Sequence, residues 1–305
     1  MRKKKQQVCI LILLLITGVL PFVGNRIENN NMNKSELSSR AGKDMTVPNG
    51  DQIPKDPTRP HPWKDTYRVE VLKEKYDTPV LMASYQATIS NPFLDEMHNV
   101  RLAADHLAGT VVQSGEVFSQ NNTLGPYTEG RGFMYGGVFT GNRVEPGIGG
   151  GVCKIASLLY NLAVLSDLEI IERHPHFMTV PYVPPGQDAT VNYGVLDLRF
   201  RNNTSGPILI WAEIQGNTIH MAFYGRQMPL KVTWHHQTLN RIDFETKIQY
   251  TSSIQAGEER EVYQGVGGVV VQNWVTIETP DNDIIRRDLG TDCYIPSPRI
   301  IERGK

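Results

Sequence analysis

Cysteine is scarce in this chain: among 305 residues there are three, Cys9, Cys153 and Cys293. Cys9 falls inside an apolar N-terminal run, so at most one bridge, Cys153 to Cys293, is available to the rest. A disulfide scaffold is thereby excluded. Charge of one sign is lacking too, since 31 lysines and arginines face 32 aspartates and glutamates, and basic and aromatic residues are not interleaved. That excludes nucleic acid as a partner, because a phosphate backbone calls for a basic field. The cysteines and histidines do not have the compact ligand spacing of a structural zinc site. No metal and no cofactor are expected.

Long apolar runs are equally rare, and the one present opens the chain. Arg2, Lys3, Lys4 and Lys5 precede a nearly uncharged stretch from Val8 to Val23, the pattern of an export or anchoring signal. Pro21-Phe22 stands where a cleavage site would need small residues, which favours an uncleaved segment over residues 1–25. The chain is expected to cross the cell membrane once, with everything after that segment extracytoplasmic. Secretion after cleavage is the alternative, because the run is at the short end of the roughly 17 to 25 residues that a span needs. Residues 26–63, rich in Asn, Ser, Lys and Pro, read as a flexible linker.

Two further segments, 64–226 and 227–305, make one good-sized domain and a small β-rich module with a binding or spacing role. Residues 91 to 107 have the helical period, with Val100, Leu102, Ala103, Ala104 and Leu107 apolar. Ile155, Leu158, Leu159, Leu162 and Leu165 repeat that period after Cys153. Residues 197–201 alternate like a strand and lead through a turn over Asn202 to Pro207 into a next strand over 208–214, which together read as a β-hairpin, with a third strand over 217–225. The expected class is α+β: an antiparallel sheet beside a helix that carries the cysteine at its N-terminus.

Gly149-Gly150-Gly151-Val152-Cys153 is where chemistry is expected. Unpaired N–H groups and the helix dipole favour an anion in the first turn, which lowers a thiol pKa. Gly150 and Gly151 allow a substrate to approach the backbone. A cysteine nucleophile needs a base, usually histidine, oriented by a third group. Glu172-Arg173-His174-Pro175-His176 supplies two histidines, either of which could be the base, and Asp188 supplies the orienting carboxylate. Arg173 and Tyr182, in the same segment, are candidates for substrate contacts. Ser119 and Asn121 join them, in a stretch suited to recognising a peptide or sugar or simply to making a turn. His235 and His236, later in the chain, read as solvated.

Several motifs in order resemble the VanW family: Gly-Glu-Val-Phe-Ser at 115–119, Gly-Gly-Gly-Val-Cys at 149–153, Leu-Tyr-Asn at 159–161, Glu-Arg-His-Pro-His at 172–176, Asp-Ala-Thr-Val at 188–191 and Arg-Asn-Asn-Thr at 201–204. The family is named for an accessory gene of glycopeptide-resistance clusters, and some of its domains are associated with L,D-transpeptidase activity. The resemblance implies that Cys153 attacks a peptidoglycan stem peptide and forms an acyl-enzyme. It makes His176, with His174 as alternate, the base, Asp188 its orienting group, and the amides around Gly151 to Cys153 the oxyanion donors. One position departs from the pattern: Lys154 stands where the family usually has glutamine. A non-catalytic peptidoglycan-binding or assembly factor is the competing reading, with Cys153 packed or bridged. A cysteine carboxypeptidase or endopeptidase, with water as acceptor, is another.

Overall fold

The computed structural model describes residues 57–60, 63–89, 95–141 and 143–305, which belong to the compact unit Ala41–Lys305. The apolar segment of residues 1–25 and most of the linker lie outside the described residues. Among the described residues no helix is long and apolar enough to cross a membrane.

The fold is α+β, built mostly from antiparallel sheets with few helices. Helix α1 (Thr66–Tyr76) starts where the Asp65 side chain accepts the Arg68 N–H, and stops at Asp77, whose φ of 53° breaks the helical run. Strands β1 (Val80–Thr88), β2 (Thr110–Val112), β8 (Ile208–Gln215) and β9 (Thr218–Gly225) form a sheet in the order β1-β9-β8-β2. Gly216, at φ 60°, closes the β8–β9 hairpin. Both of its strands are almost continuously apolar because the central strands are covered on both faces.

Val69 and Leu72 of α1 cover one face, against Leu209, Trp211 and Tyr224, and two longer helices cover the other. Helix α2 (Glu96–Leu107) buries Asn99, Val100, Ala103, Ala104 and Leu107 at the spacing the sequence foretold. Helix α4 (Val152–Leu165) is buried almost all round, with Ile155, Ala156, Leu158, Leu159, Leu162 and Ala163 fully inaccessible. Each such leucine removes from water a side chain worth about 1.5–3 kcal/mol.

A second sheet corrects the expected hairpin of residues 197–214. Strand β7 (Arg199–Arg201) does not pair with β8; it lies between β3 (Val117–Ser119) and β6 (Glu169–Glu172). The Phe118 and Phe200 rings stack at 4.9 Å across the β3–β7 pair. The chain turns from one sheet to the other around Asn202, which is fully buried. Its Nδ2 donates to the Val112 and Gly206 carbonyls at 2.9 and 2.8 Å, and its Oδ1 accepts from the Thr204 amide and hydroxyl at 3.0 and 2.7 Å. Those bonds satisfy backbone groups of the corner and of the end of β2.

Strands β4 (Tyr135–Thr140) and β5 (Arg143–Ile148) make a separate hairpin that leads into the glycine turn before α4. At the C-terminal end, β10 (Lys231–Ile242), β13 (Gly268–Glu278) and β14 (Ile284–Tyr294) form one antiparallel sheet. Strands β11 (Thr246–Thr251), β15 (Arg299–Gly304) and β12 (Glu259–Tyr263) form another, in which β11 and β15 run parallel. His235 and His236 on β10 are not simply solvated. His235 bonds to Thr276 Oγ1 at 2.8 Å and stacks on Trp274. His236 lies between Asn273 Oδ1 at 2.8 Å and Gln187 Nε2 at 3.1 Å, and burial pulls its pKa below the ordinary value. A neutral ring that donates from Nδ1 and accepts at Nε2 meets both partners.

Truncating the corner residue, Asn202→Ala, leaves the buried Val112 carbonyl without this donor and the Thr204 amide without this acceptor, while the Gly206 carbonyl keeps the Thr204 hydroxyl at 3.0 Å. It is expected to lower the unfolding free energy by about 2–4 kcal/mol, read from urea titration. A loss within the error of the titration would mean that the corner is held by something else.

Candidate functional site

The start of α4 is made by close backbone packing that only glycine permits. Gly149 and Gly151 have φ of 78° and 105°, and a Cβ added at Gly150 would lie 2.2 Å from the Gly136 carbonyl carbon. Asn99, on α2, clamps this turn: its Nδ2 donates to the Gly150 and Met134 carbonyls at 3.0 and 2.8 Å, and its Oδ1 accepts the Met134 N–H at 2.7 Å. Cys153 is thereby set in the first helical turn, partly exposed, with a free thiol. The bridge to Cys293 is therefore not formed. The Cys153 S–H donates to the Val191 carbonyl at 3.6 Å.

Residues 173–191 pass the site without regular structure, as Pro175, Pro181, Pro184 and Pro185 dictate. Helix α4 fixes this segment from one side. Ser157 and Asn161 follow Cys153 at four-residue intervals and so share its helical face. The Ser157 hydroxyl accepts the Ala189 N–H at 2.9 Å, and Asn161 Nδ2 donates to the Gln187 carbonyl at 2.8 Å. The backbone on either side of Asp188 is thus bonded to the cysteine helix.

Asp188 is fully buried and surrounded by donors. Its Oδ2 accepts the His176 backbone N–H and the ring Nδ1–H, each at 2.7 Å. Its Oδ1 accepts Arg173 Nη2 at 3.1 Å and the Tyr294 hydroxyl. Burial alone would raise its pKa, but His176 and Arg173 outweigh that and bring it down to about 2. His176 is 3 % exposed, with the Phe139 ring edge-on at 5.0 Å. Against its own desolvation, the bond to Asp188 and the interactions with the Asp188 and Cys153 charges raise its pKa to about 9; its buried Nε2 has no hydrogen-bond partner among the described residues. Burial pushes the Cys153 thiol up, while His176, a hydrogen bond with the Val191 backbone and the Lys154 charge together pull it down further, so that it lies below its ordinary value. Proton transfer from sulfur to imidazole is therefore favoured over what the two groups would do in water.

The structure brings Cys153, His176 and Asp188 together and separates them from His174. That ring is bonded to Glu172 Oε1 at 3.0 Å and is much more exposed, so the alternate base faces a different partner. Arg173 does not reach outward for substrate: it is buried between Asp188 and Asp292, with Nη1 2.7 Å from Asp292 Oδ1 and Nε 2.7 Å from the Asp188 carbonyl. Ser119 caps the short helix α3 (Gln120–Leu124) by accepting the Asn122 N–H at 3.1 Å, and donates to Asp197 Oδ2 at 2.5 Å. Asn121 donates to the Leu196 carbonyl at 2.9 Å and accepts from the Tyr127 hydroxyl at 3.2 Å. Both side chains are thus taken up inside the protein. Tyr182 is 1 % exposed, and its hydroxyl has no hydrogen-bond partner among the described residues. Gly150 is buried, and Gly151 is the N-cap of α4.

Lys154 forms a mostly buried ion pair with Glu96 at the start of α2 and lies 4.9 Å above the Tyr182 ring. Sequence reasoning missed Ser157, Asn161, Asp292 and Tyr294. The first two had a signal, polar residues four and eight positions after Cys153 in an otherwise apolar helix. The last two had none, being more than a hundred residues from the groups they touch.

Comparison with known proteins agrees with the motif order. Residues 95–224 match the family described as VanW like protein. Uncharacterized protein YoaR of Bacillus subtilis (strain 168) is 38% identical over 127 residues, 42% of this chain and 42% of that protein. Vancomycin B-type resistance protein VanW of Enterococcus faecalis (strain ATCC 700802 / V583) is 26% identical over 140 residues, 44% of this chain and 51% of that protein. The chain thus spans about half the length, or less, of these relatives. Among solved structures, the IgA1 protease G5 domain is 26% identical and covers 27% of this chain and 98% of its own, with a TM-score of 0.18. HP0197-G5 is 17% identical over 24% of this chain and 99% of its own, with a TM-score of 0.15. TM-scores this low leave both likenesses without bearing on the fold.

Asp188 gives the site a pH signature. A carboxyl whose folded pKa is depressed to about 2 adds stability that is present above its unfolded pKa, near 3.8, and is lost as the pH falls through about 2. The gap in urea midpoint between the natural chain and Asp188→Asn should be wide at pH 6 and close as the pH falls from about 4 to about 2. A gap that stays constant over that range would contradict the assigned ionisation.

Proposed function

With residues 95–224 a VanW-like domain, we propose that this chain is a cysteine acyltransferase of the cell wall, an L,D-transpeptidase acting on peptidoglycan stem peptides. In this reading residues 1–25 tether it to the membrane and residues 64–305 work outside. The observation that carries the proposal is the free Cys153 thiol beside a buried histidine whose other nitrogen is bonded to a buried carboxylate.

The chemistry follows from that order of groups. His176 takes the Cys153 proton on Nε2, while Asp188 holds the Nδ1–H and stabilises the imidazolium. The thiolate attacks the carbonyl between the L-centre and the terminal D-residue of a donor stem. The carbonyl π electrons move to oxygen, where the Cys153 amide of the first helical turn is the nearest backbone donor in kind. The C–N bond breaks as His176 returns its proton to the departing amine, which leaves a thioester on Cys153. The amine of an acceptor stem then attacks the thioester, His176 takes a proton from it, and the thiolate leaves as a new amide forms. Neither step needs an oxidant or a cofactor. Lys154 contributes through its charge, which acts on the thiol.

Full-length chain incubated with tetrapeptide muropeptides should yield cross-linked dimers and free D-amino acid by mass spectrometry. Cys153→Ala should yield neither, and His176→Ala should be slower by about 10²–10⁴-fold. Dimers from Cys153→Ala at the natural rate would sink the proposal. Release of D-amino acid without dimers would replace it with the carboxypeptidase reading.

A further inference from the structure

The acid–base pair is completed from beyond residues 95–224. On β14, Asp292 and Tyr294 are alternate residues and so share one face of the strand. That face meets the back of Asp188. Tyr294 is fully buried, its hydroxyl donates to Asp188 Oδ1, and it accepts the Gly186 N–H at 2.7 Å. Asp292 accepts Arg173 Nη1 at 2.7 Å and Asn273 Nδ2 at 3.1 Å. Arg173 in turn donates to Asp188 Oδ1 at 3.1 Å. The carboxylate oxygen that His176 does not use is therefore held by one donor from β14 and by an arginine that β14 anchors.

Resting on the acyl-transfer reading of Cys153, we infer that Tyr294 is a positioning residue of that site, acting through Asp188 on His176, and that the C-terminal strands are part of the reaction centre. A hydroxyl bonded to a carboxylate makes a charge-assisted bond, stronger and more directional than a neutral one. Its own oxygen is fixed by the Gly186 amide, so the donor cannot swing away. With it in place, Asp188 turns one oxygen to His176 and keeps the Nδ1–H oriented. Without it, the carboxylate has one donor fewer, the Gly186 N–H has no acceptor, and the imidazolium is held less firmly.

Other groups also bear on the titrating pair. Lys154, Tyr182 and Tyr127 interact with Cys153, and Phe139 of β4 packs on His176. Tyr160, on α4, interacts with Arg173 and both aspartates behind the pair. Tyr294→Phe leaves all of these unchanged and keeps the ring in the core.

The test follows iodoacetamide alkylation of Cys153 from pH 4 to pH 10 in the full-length chain, with the Cys153 peptide resolved by mass spectrometry. The natural chain should titrate below the ordinary thiol range. In Tyr294→Phe the midpoint should move up by about one pH unit, which is about a tenfold slower reaction below both midpoints. Cooperative thermal unfolding of the variant is checked alongside. An unchanged midpoint in a folded Tyr294→Phe would overturn the inference. Should that variant fail to fold, Asp292→Asn, which loosens Arg173, must move the midpoint in the same direction by a smaller amount, and an unmoved midpoint there overturns it equally. The acyl-transfer reading fails separately: no dimers from the natural chain, with a shifted midpoint in Tyr294→Phe, would remove that reaction and leave the positioning role.

Discussion

A carboxylate with no exposure to water is costly unless donors replace its hydration, and Asp188 has four of them: the His176 amide, the His176 ring, Arg173 and the Tyr294 hydroxyl. The rest of the site is arranged to keep that set intact. Arg173 comes from the end of β6, His176 from the proline-rich segment and Tyr294 from β14, while the cysteine helix grips the backbone on both sides of Asp188 through Ser157 and Asn161. Three parts of the chain, the cysteine helix, the 173–188 segment and β14, therefore meet at one buried anion. Removing any one donor leaves a charge undercompensated in a place where water cannot make up the loss.

The consequence reaches the thiol through the histidine. A fixed anion behind Nδ1 stabilises the imidazolium, and the imidazolium stabilises negative charge on Cys153 against the cost of burial. The glycine turn contributes position as much as field. It lets α4 begin against the β4–β5 hairpin, with Asn99 tying the Gly150 carbonyl of the turn to the Met134 carbonyl ahead of β4. Lys154 adds a positive charge whose partner, Glu96, starts the neighbouring helix. That ion pair holds the lysine charge beside the thiol.

The helices and the β8–β9 hairpin were legible because each obeys a single local rule. Apolar periodicity marked α2 and α4, and short apolar runs marked β8 and β9. The Cys153, His176 and Asp188 positions were legible as residue types in a motif order, although the choice between His174 and His176 was not. Both histidines flank Pro175, and only the tertiary setting turns one to Asp188 and the other to Glu172. The 197–214 stretch misled because strand alternation does not say which strand is the partner, and Asn202 bonds to backbone groups of the corner and of the end of β2. Arg173, Ser119 and Asn121 looked like substrate contacts because polar side chains near a nucleophile carry no mark of burial. Tyr294 had no local signal at all, since its role exists only once β14 is packed against the segment that holds Asp188.

The state of the His176 ring tests the account most directly. Nitrogen chemical shifts of the imidazole, followed from pH 5 to pH 10 in the full-length chain, report whether one or both ring nitrogens are protonated. At pH 7 the ring should be doubly protonated, losing one proton near pH 9. A ring that is already neutral at pH 7 would contradict it.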